Sequence, residues 1–193
     1  MKVLLGLLLC AVASQAFLFK KIKTVSELDV NKYSGRWYEM YNSLIQRQTF
    51  EKNSYCTTAT YRLAADGKTI LVHNSGRISA PKGRLNAING TAYQTDAANF
   101  PGELIVSFPG TPQSKKANYL VVKLGPEVNG EYAYTIITSN YKAFTWILAR
   151  DVKSFRANYE QEALEYLKNN GYNWFWNRPR KVFQGEECIY PPM

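Results

Sequence analysis

Histidine is almost absent from this chain: His73 is the single one in 193 residues. A lone imidazole cannot by itself build a metal site, and this one, which strand alternation turns outward, offers no basis for a Ser/His/Asp set. Cysteine is scarce as well. Cys10, Cys56 and Cys188 form no Cys-x-x-Cys pair, so zinc ribbons and thioredoxin-like redox motifs are excluded. No apolar run reaches the roughly 20 residues that a membrane-crossing helix needs. Repeats, low-complexity segments and long linkers are missing, and no nucleic-acid motif accompanies the net charge of +9. Candidate carboxylates such as Glu39 and Glu103 have no evident partner. The chain therefore reads as a non-enzyme with neither metal nor cofactor.

The N-terminus has the pattern of a secretory leader. Lys2 supplies a positive start, Val3 to Val12 is a compact apolar run, and Ser14-Gln15-Ala16 offers small residues for cleavage. The expectation is a signal peptide over 1–16 and one secreted, extracellular domain over 17–193. Cys10 leaves with the leader. Cys56 and Cys188 then sit in an oxidising compartment, where one disulfide is the simplest state and two free thiols the other. Closing so long a loop is worth about 4–5 kcal/mol in the chain-entropy model. Lysine and arginine are spread along the chain, with small clusters at Lys20-Lys21-Lys23 and Arg178-Arg180-Lys181. This is a solvated basic surface that tilts toward an acidic ligand. Asn89-Gly90-Thr91 is the only N-glycosylation sequon, although Asn-Gly is also a turn dipeptide.

The middle of the chain is a succession of short runs rich in Thr, Tyr, Val and Ile. Strands are predicted near 36–42, 56–63, 69–78, 85–94, 103–108, 119–124, 132–139 and 144–150. Turn residues separate them, as in Asp66-Gly67, Pro81-Lys82-Gly83, Pro101-Gly102, Pro109-Gly110 and Asn129-Gly130. Eight strands joined by short turns imply an all-β, antiparallel up-and-down barrel, whose closure removes exposed edges. The period then changes. Tyr159, Ala163, Leu164, Tyr166 and Leu167 recur at helical spacing within 156–169, and Gly171 is placed to end a C-terminal helix packed outside the barrel.

Asn31-Lys32-Tyr33-Ser34-Gly35-Arg36-Trp37-Tyr38-Glu39 and Trp146-Ile147-Leu148-Ala149-Arg150, with a helix and a returning cysteine after them, resemble the lipocalin family, small secreted barrels that carry hydrophobic molecules. Within it the likeness is to apolipoprotein D and the related bacterial and plant lipocalins. The resemblance implies that Gly35 and Trp37 open the barrel, with Arg150 packed across the Trp37 indole at its closed end. It implies a Cys56–Cys188 disulfide. It also implies a pocket lined by Tyr61, Asn74, Phe108 and Trp146. Leu124-Gly125-Pro126 departs from the family's Thr-Asp-Tyr-like turn after the sixth strand.

Alternation puts Ala59, Tyr61 and Leu63 on the inner face of the second strand, with Thr58, Thr60 and Arg62 opposite. An inward Asn74 calls for a polar ligand atom or a water, whereas His73 beside it points outward. The function so implied is non-covalent transport or sequestration of a fatty acid, steroid, retinoid, bilin or carotenoid. The alternatives are a pigment-complex or host-defence interaction protein and a lipocalin-type isomerase. Trp174-Phe175-Trp176, followed by Arg178, Arg180 and Lys181, either packs the tail on the barrel or meets a membrane or lipoprotein surface.

Overall fold

The computed structural model describes residues 21–49 and 51–192, so the leader expected over 1–16 and Cys10 lie outside the described residues. Eight strands pair antiparallel in a closed ring. They are β1 (Gly35–Asn42), β2 (Ser54–Leu63), β3 (Ile70–Ile78), β4 (Leu85–Asp96), β5 (Phe100–Ser107), β6 (Tyr119–Leu124), β9 (Tyr134–Thr138) and β10 (Thr145–Ala149). Each barrel strand pairs with the next along the chain, and β10 returns to β1, with Tyr38 opposite Ala149 and Asn42 opposite Trp146. Between β6 and β9 stands a small separate hairpin, β7 (Glu127–Val128) with β8 (Glu131–Tyr132). Its turn is Asn129-Gly130, both at positive φ (54° and 80°), the conformation that Asn-Gly favours in a tight hairpin. The strand expected over 132–139 is thus split. Gly125 N–H donates to Tyr134 O and Ala133 N–H to Pro126 O, and these bonds separate the hairpin from the barrel wall.

Strand alternation divides the apolar residues into two cores. Trp37, Ala59, Tyr61, Val72, Leu104, Ile137 and Leu148 face the lumen. Met40, Tyr134, Ile136, Ile147 and Ala149 face outward, under the helices α3 (Val152–Asn158) and α4 (Glu160–Asn169). Phe155, Ala163 and Leu167 fill that second core from the helical side. Asp151 caps α3 by accepting from Ser154 N at 2.6 Å. One continuous helix was the expectation, but the backbone leaves helical angles at Tyr159 (φ −129°, ψ −15°), whose ring packs 5.6 Å from that of Tyr134. Gly171 (φ +81°) ends α4 as expected. Gly171 N–H donates to Lys168 O and Tyr172 N–H to Leu167 O, the paired bonds of a Schellman terminus.

Both ends of the barrel wall are held by polar contacts. The short helix α1 (Val30–Tyr33) crosses one end, where the Trp37 indole is wholly buried and donates to Tyr33 O at 2.9 Å. The Arg150 guanidinium lies 3.7 Å over that ring and bonds the carbonyls of Arg36, Lys32 and Ser34 at 2.8, 2.9 and 2.6 Å. Gly35 (φ +99°) makes room, since a Cβ there would sit 3.0 Å from Arg150 Nη1.

Opposite, β1 and β2 part company after the Tyr38–Thr58 pair. The C-terminal tail fills the gap. β11 (Arg180–Lys181) pairs with Tyr41 and Asn42, Phe183 O accepts from Cys56 N, and Gln184 Nε2 reaches both Glu39 O (3.0 Å) and Thr57 O (2.7 Å). The Cys56–Cys188 disulfide, spanning 132 positions, ties this wedge in place. Thr58, on the outward face of β2, is buried as well and meets Ser75 Oγ at 2.9 Å.

Candidate functional site

The lumen holds a cavity of about 670 Å³, in the range of small-molecule sites. Its wall follows from the alternation of β2, β3, β5 and β10, which turns Ala59, Val72, Leu104, Val106 and Leu148 inward. At its floor three phenols meet. Tyr33 and Tyr119 hydroxyls are 2.7 Å apart, Tyr61 and Tyr119 hydroxyls 3.2 Å, and Tyr33 also donates to Thr135 Oγ1 at 3.3 Å. Burial pushes the pKa of all three above that of an ordinary phenol, Tyr61 up to about 12, so the floor stays uncharged at physiological pH.

All four residues expected to contact a ligand line this one cavity: Tyr61, Asn74, Phe108 and Trp146. Trp146 stands between Tyr119 (centroids 6.4 Å) and Phe144 (6.1 Å). Phe108 follows the last residue of β5 and lies across Gly90, where a Cβ would come within 2.6 Å of its ring. Asn74, opposite Ala59 and Ile88, keeps a buried Oδ1 with no protein partner. Gly35, Trp37 and Arg150 are absent from the lining and form the closure described above. His73 points outward from β3, its Nδ1 2.7 Å from Oδ1 of Asn89. That sequon is exposed in the middle of β4, not in a turn.

Two acidic residues in the cavity were not foreseen as a pair. Glu39 is 3% exposed, and it comes inward two positions after Trp37 on β1. Glu51 arrives from the segment after α2 (Leu44–Gln48). That helix is pinned by Gln46, whose buried Oε1 accepts from Ser43 N (2.8 Å), Ser43 Oγ (2.7 Å) and Thr145 N (3.1 Å). Glu51 in turn accepts from Asn42 Nδ2 at 2.7 Å and from Trp146 Nε1 at 3.4 Å. Burial raises the Glu39 carboxyl well above the usual range, and the Glu51 charge and a hydrogen bond between the two carboxyls raise it further. Burial lifts Glu51 too, against the hydrogen bonds from Glu39, Asn42, Trp146 and Gln46. Burial and mutual repulsion thus favour a proton held within the pair. The expectation that Glu39 and Glu103 lack partners is corrected, because Glu103 also pairs with Lys21 at 2.9 Å. Sequence alternation from Trp37 would have turned Glu39 inward; nothing local announces Glu51. Among the described residues no group of His, Cys, Asp and Glu gathers to hold a metal.

Known proteins resemble this chain along most of its length. A family model described as a lipocalin-like domain matches residues 28–176. Temperature-induced lipocalin-1 of Arabidopsis thaliana is 31% identical over 160 residues, covering 80% of this chain and 79% of that protein. Apolipoprotein D of Cavia porcellus is 33% identical over 167 residues, covering 80% and 77%. Among solved structures, insecticyanin from the tobacco hornworm Manduca sexta superposes with a TM-score of 0.64 at 19% identity, covering 89% of each chain.

Proposed function

The chain belongs to the lipocalin-like family, whose members bind small hydrophobic molecules, and from that premise we propose that it is an extracellular carrier of one such molecule, held non-covalently in the barrel. The observation that carries this reading is the cavity of about 670 Å³, with apolar and aromatic walls and a few placed polar groups. Tyr61, Phe108 and Trp146 supply apolar contact, and the unpartnered Asn74 Oδ1 accepts from a polar ligand atom. Secretion is supported by the disulfide, and no helix among the described residues is long and apolar enough to cross a membrane. Asn89, exposed on the outer wall, is available for glycosylation in that compartment.

Native mass spectrometry of protein from a eukaryotic secretory source tests the proposal. A co-purifying hydrophobic mass, lost on denaturation and diminished by Trp146→Ala, is expected, and an absorption spectrum separates bilins and carotenoids from colourless lipids. A barrel that is empty and takes up none of a panel of fatty acids, retinoids, steroids and long-chain amines overturns it.

A second contact is proposed for the tail. Trp174 and Phe175 are 60% and 65% exposed, beside the exposed Arg178, an arrangement suited to weak association with anionic lipid. Flotation with anionic liposomes should recover less Trp174→Ala/Trp176→Ala protein than wild type, and equal recovery sinks the idea.

A further inference from the structure

A basic molecule here encloses an acidic cavity. The net charge is +9, yet the cavity lining holds Glu39 and Glu51 and no lysine, arginine or histidine. Carboxyls are expensive in an apolar interior unless something answers them. The fold answers them only in part. Asn42 and Trp146 serve Glu51, Asn42 also serves Glu39, and the two carboxyls serve each other. The opposing charge that reaches Glu39 is Arg47, whose Nε donates to Asn42 Oδ1 and whose Nη2 donates to the carbonyl of Lys181. Three residues that line the cavity each carry a buried polar atom with no protein partner: Oε1 of Glu39, Oγ1 of Thr57, which is 9% exposed, and Oδ1 of Asn74. An amide carbonyl can only accept, a carboxyl pair with one proton has more acceptor than donor capacity, and the Thr57 hydroxyl can accept as well as donate. Such a set is completed by a donor.

We propose that the Glu39–Glu51 pair is the head-group site of the cavity and takes the protonated amine of an otherwise apolar molecule. The proposal rests on the carrier reading and narrows it. Two carboxyls holding one proton carry a single negative charge, which one ammonium neutralises while offering three donors. The apolar body lies along Val72, Leu104 and Trp146. An alcohol satisfies the acceptors without neutralising the charge, so it binds less tightly. A fatty acid sets a third carboxyl against the pair and is rejected. The lining thus reverses the tilt toward acidic ligands that the overall charge suggests.

The test uses three probes with one tail: decylamine, decanol and decanoate, titrated at pH 7 by calorimetry against the full mature chain, Glu39→Gln, Glu51→Gln and the double variant. In the wild type the amine is expected to bind about tenfold or more tighter than the acid, with the alcohol between. In the double variant the amine–acid gap should collapse to roughly threefold or less. Retained decanol affinity shows that the variants keep the cavity. Should decanol binding be lost in them, the wild-type ranking decides alone. Decanoate binding as tightly as decylamine, or decanol binding tightest, overturns the proposal and leaves the carrier reading standing. So does an amine preference untouched by both substitutions. Binding of no probe overturns the proposal, and the carrier reading is then decided by the co-purifying mass and the retinoid and steroid panel.

Discussion

Arg150→Lys isolates the closure of the barrel from its contents. The arginine fork satisfies three carbonyls, those of Arg36, Lys32 and Ser34, while its plane lies 3.7 Å over Trp37. Its side chain is 12% exposed, so water does not readily replace those donors. A lysine ammonium keeps the charge but lacks the planar fork, and it reaches one of the three carbonyls. Two acceptors lose their donor, at roughly 1–3 kcal/mol each, and the guanidinium stack on the indole weakens by about 0.5–1 kcal/mol. The expected loss is about 2.5–7 kcal/mol, read as a lower urea midpoint at unchanged slope and a fall in Tm on the order of 10 °C. Neither Trp37 nor Arg150 lines the cavity, so affinity for the bound ligand, measured well below the transition, should stay within about twofold. A stability loss under about 1 kcal/mol would show that solvent or backbone relaxation replaces the fork, and would refute the reasoning.

Cys56→Ser/Cys188→Ser should cost about 4–5 kcal/mol in urea unfolding, from the 132-position loop; an unchanged midpoint would mean that the tail wedge holds without its tie. Gln184→Ala strips the shared donor from Glu39 O and Thr57 O, both in buried residues, and should cost about 2 kcal/mol. Glu39→Gln should alter how stability depends on pH. The native Glu39 carboxyl is raised above its ordinary 4.5, so between that pH and its native value the folded chain binds more protons than the unfolded one, and wild-type stability declines as pH rises. The variant lacks that decline. Its advantage should grow from near zero around pH 4 by up to about 1.4 kcal/mol per pH unit across the window, and a gap that shrinks with rising pH refutes the assignment.

The barrel was legible because each strand repeats one rule. Ala59, Tyr61 and Leu63 alternate with polar neighbours on β2, and Asn129-Gly130 supplies the two positive φ angles a tight hairpin demands. Tyr61, Asn74, Phe108 and Trp146 could be placed by their likeness to a family, and they do line one lumen. The seam between β1 and β2 escaped, since the tail that fills it pairs through two residues with no periodicity to detect. The break at Tyr159 escaped too, because helical spacing runs unbroken from Phe155 through Ala163 to Leu167 while the packing against Tyr134 is tertiary.

The acidic pair marks the boundary between these two kinds of information. With Trp37 turned inward, alternation turns Glu39 inward as well, so the sequence places a carboxyl where the pattern calls for an apolar residue. Read alone, that is a local conflict, and a chain that tolerates one usually does so for a function. What resolves it lies twelve positions on. Glu51 has no pattern to place it, and it reaches the lumen because Ser43 and Gln46 box the start of a five-residue helix whose Gln46 is anchored on Thr145 of β10. A short polar capping motif at the barrel rim thus sets the charge of the interior. Replacing Gln46 by Leu would free Glu51 from Glu39. The amine preference of the cavity should then fall together with the lift in the Glu39 carboxyl, although neither carboxyl has been touched.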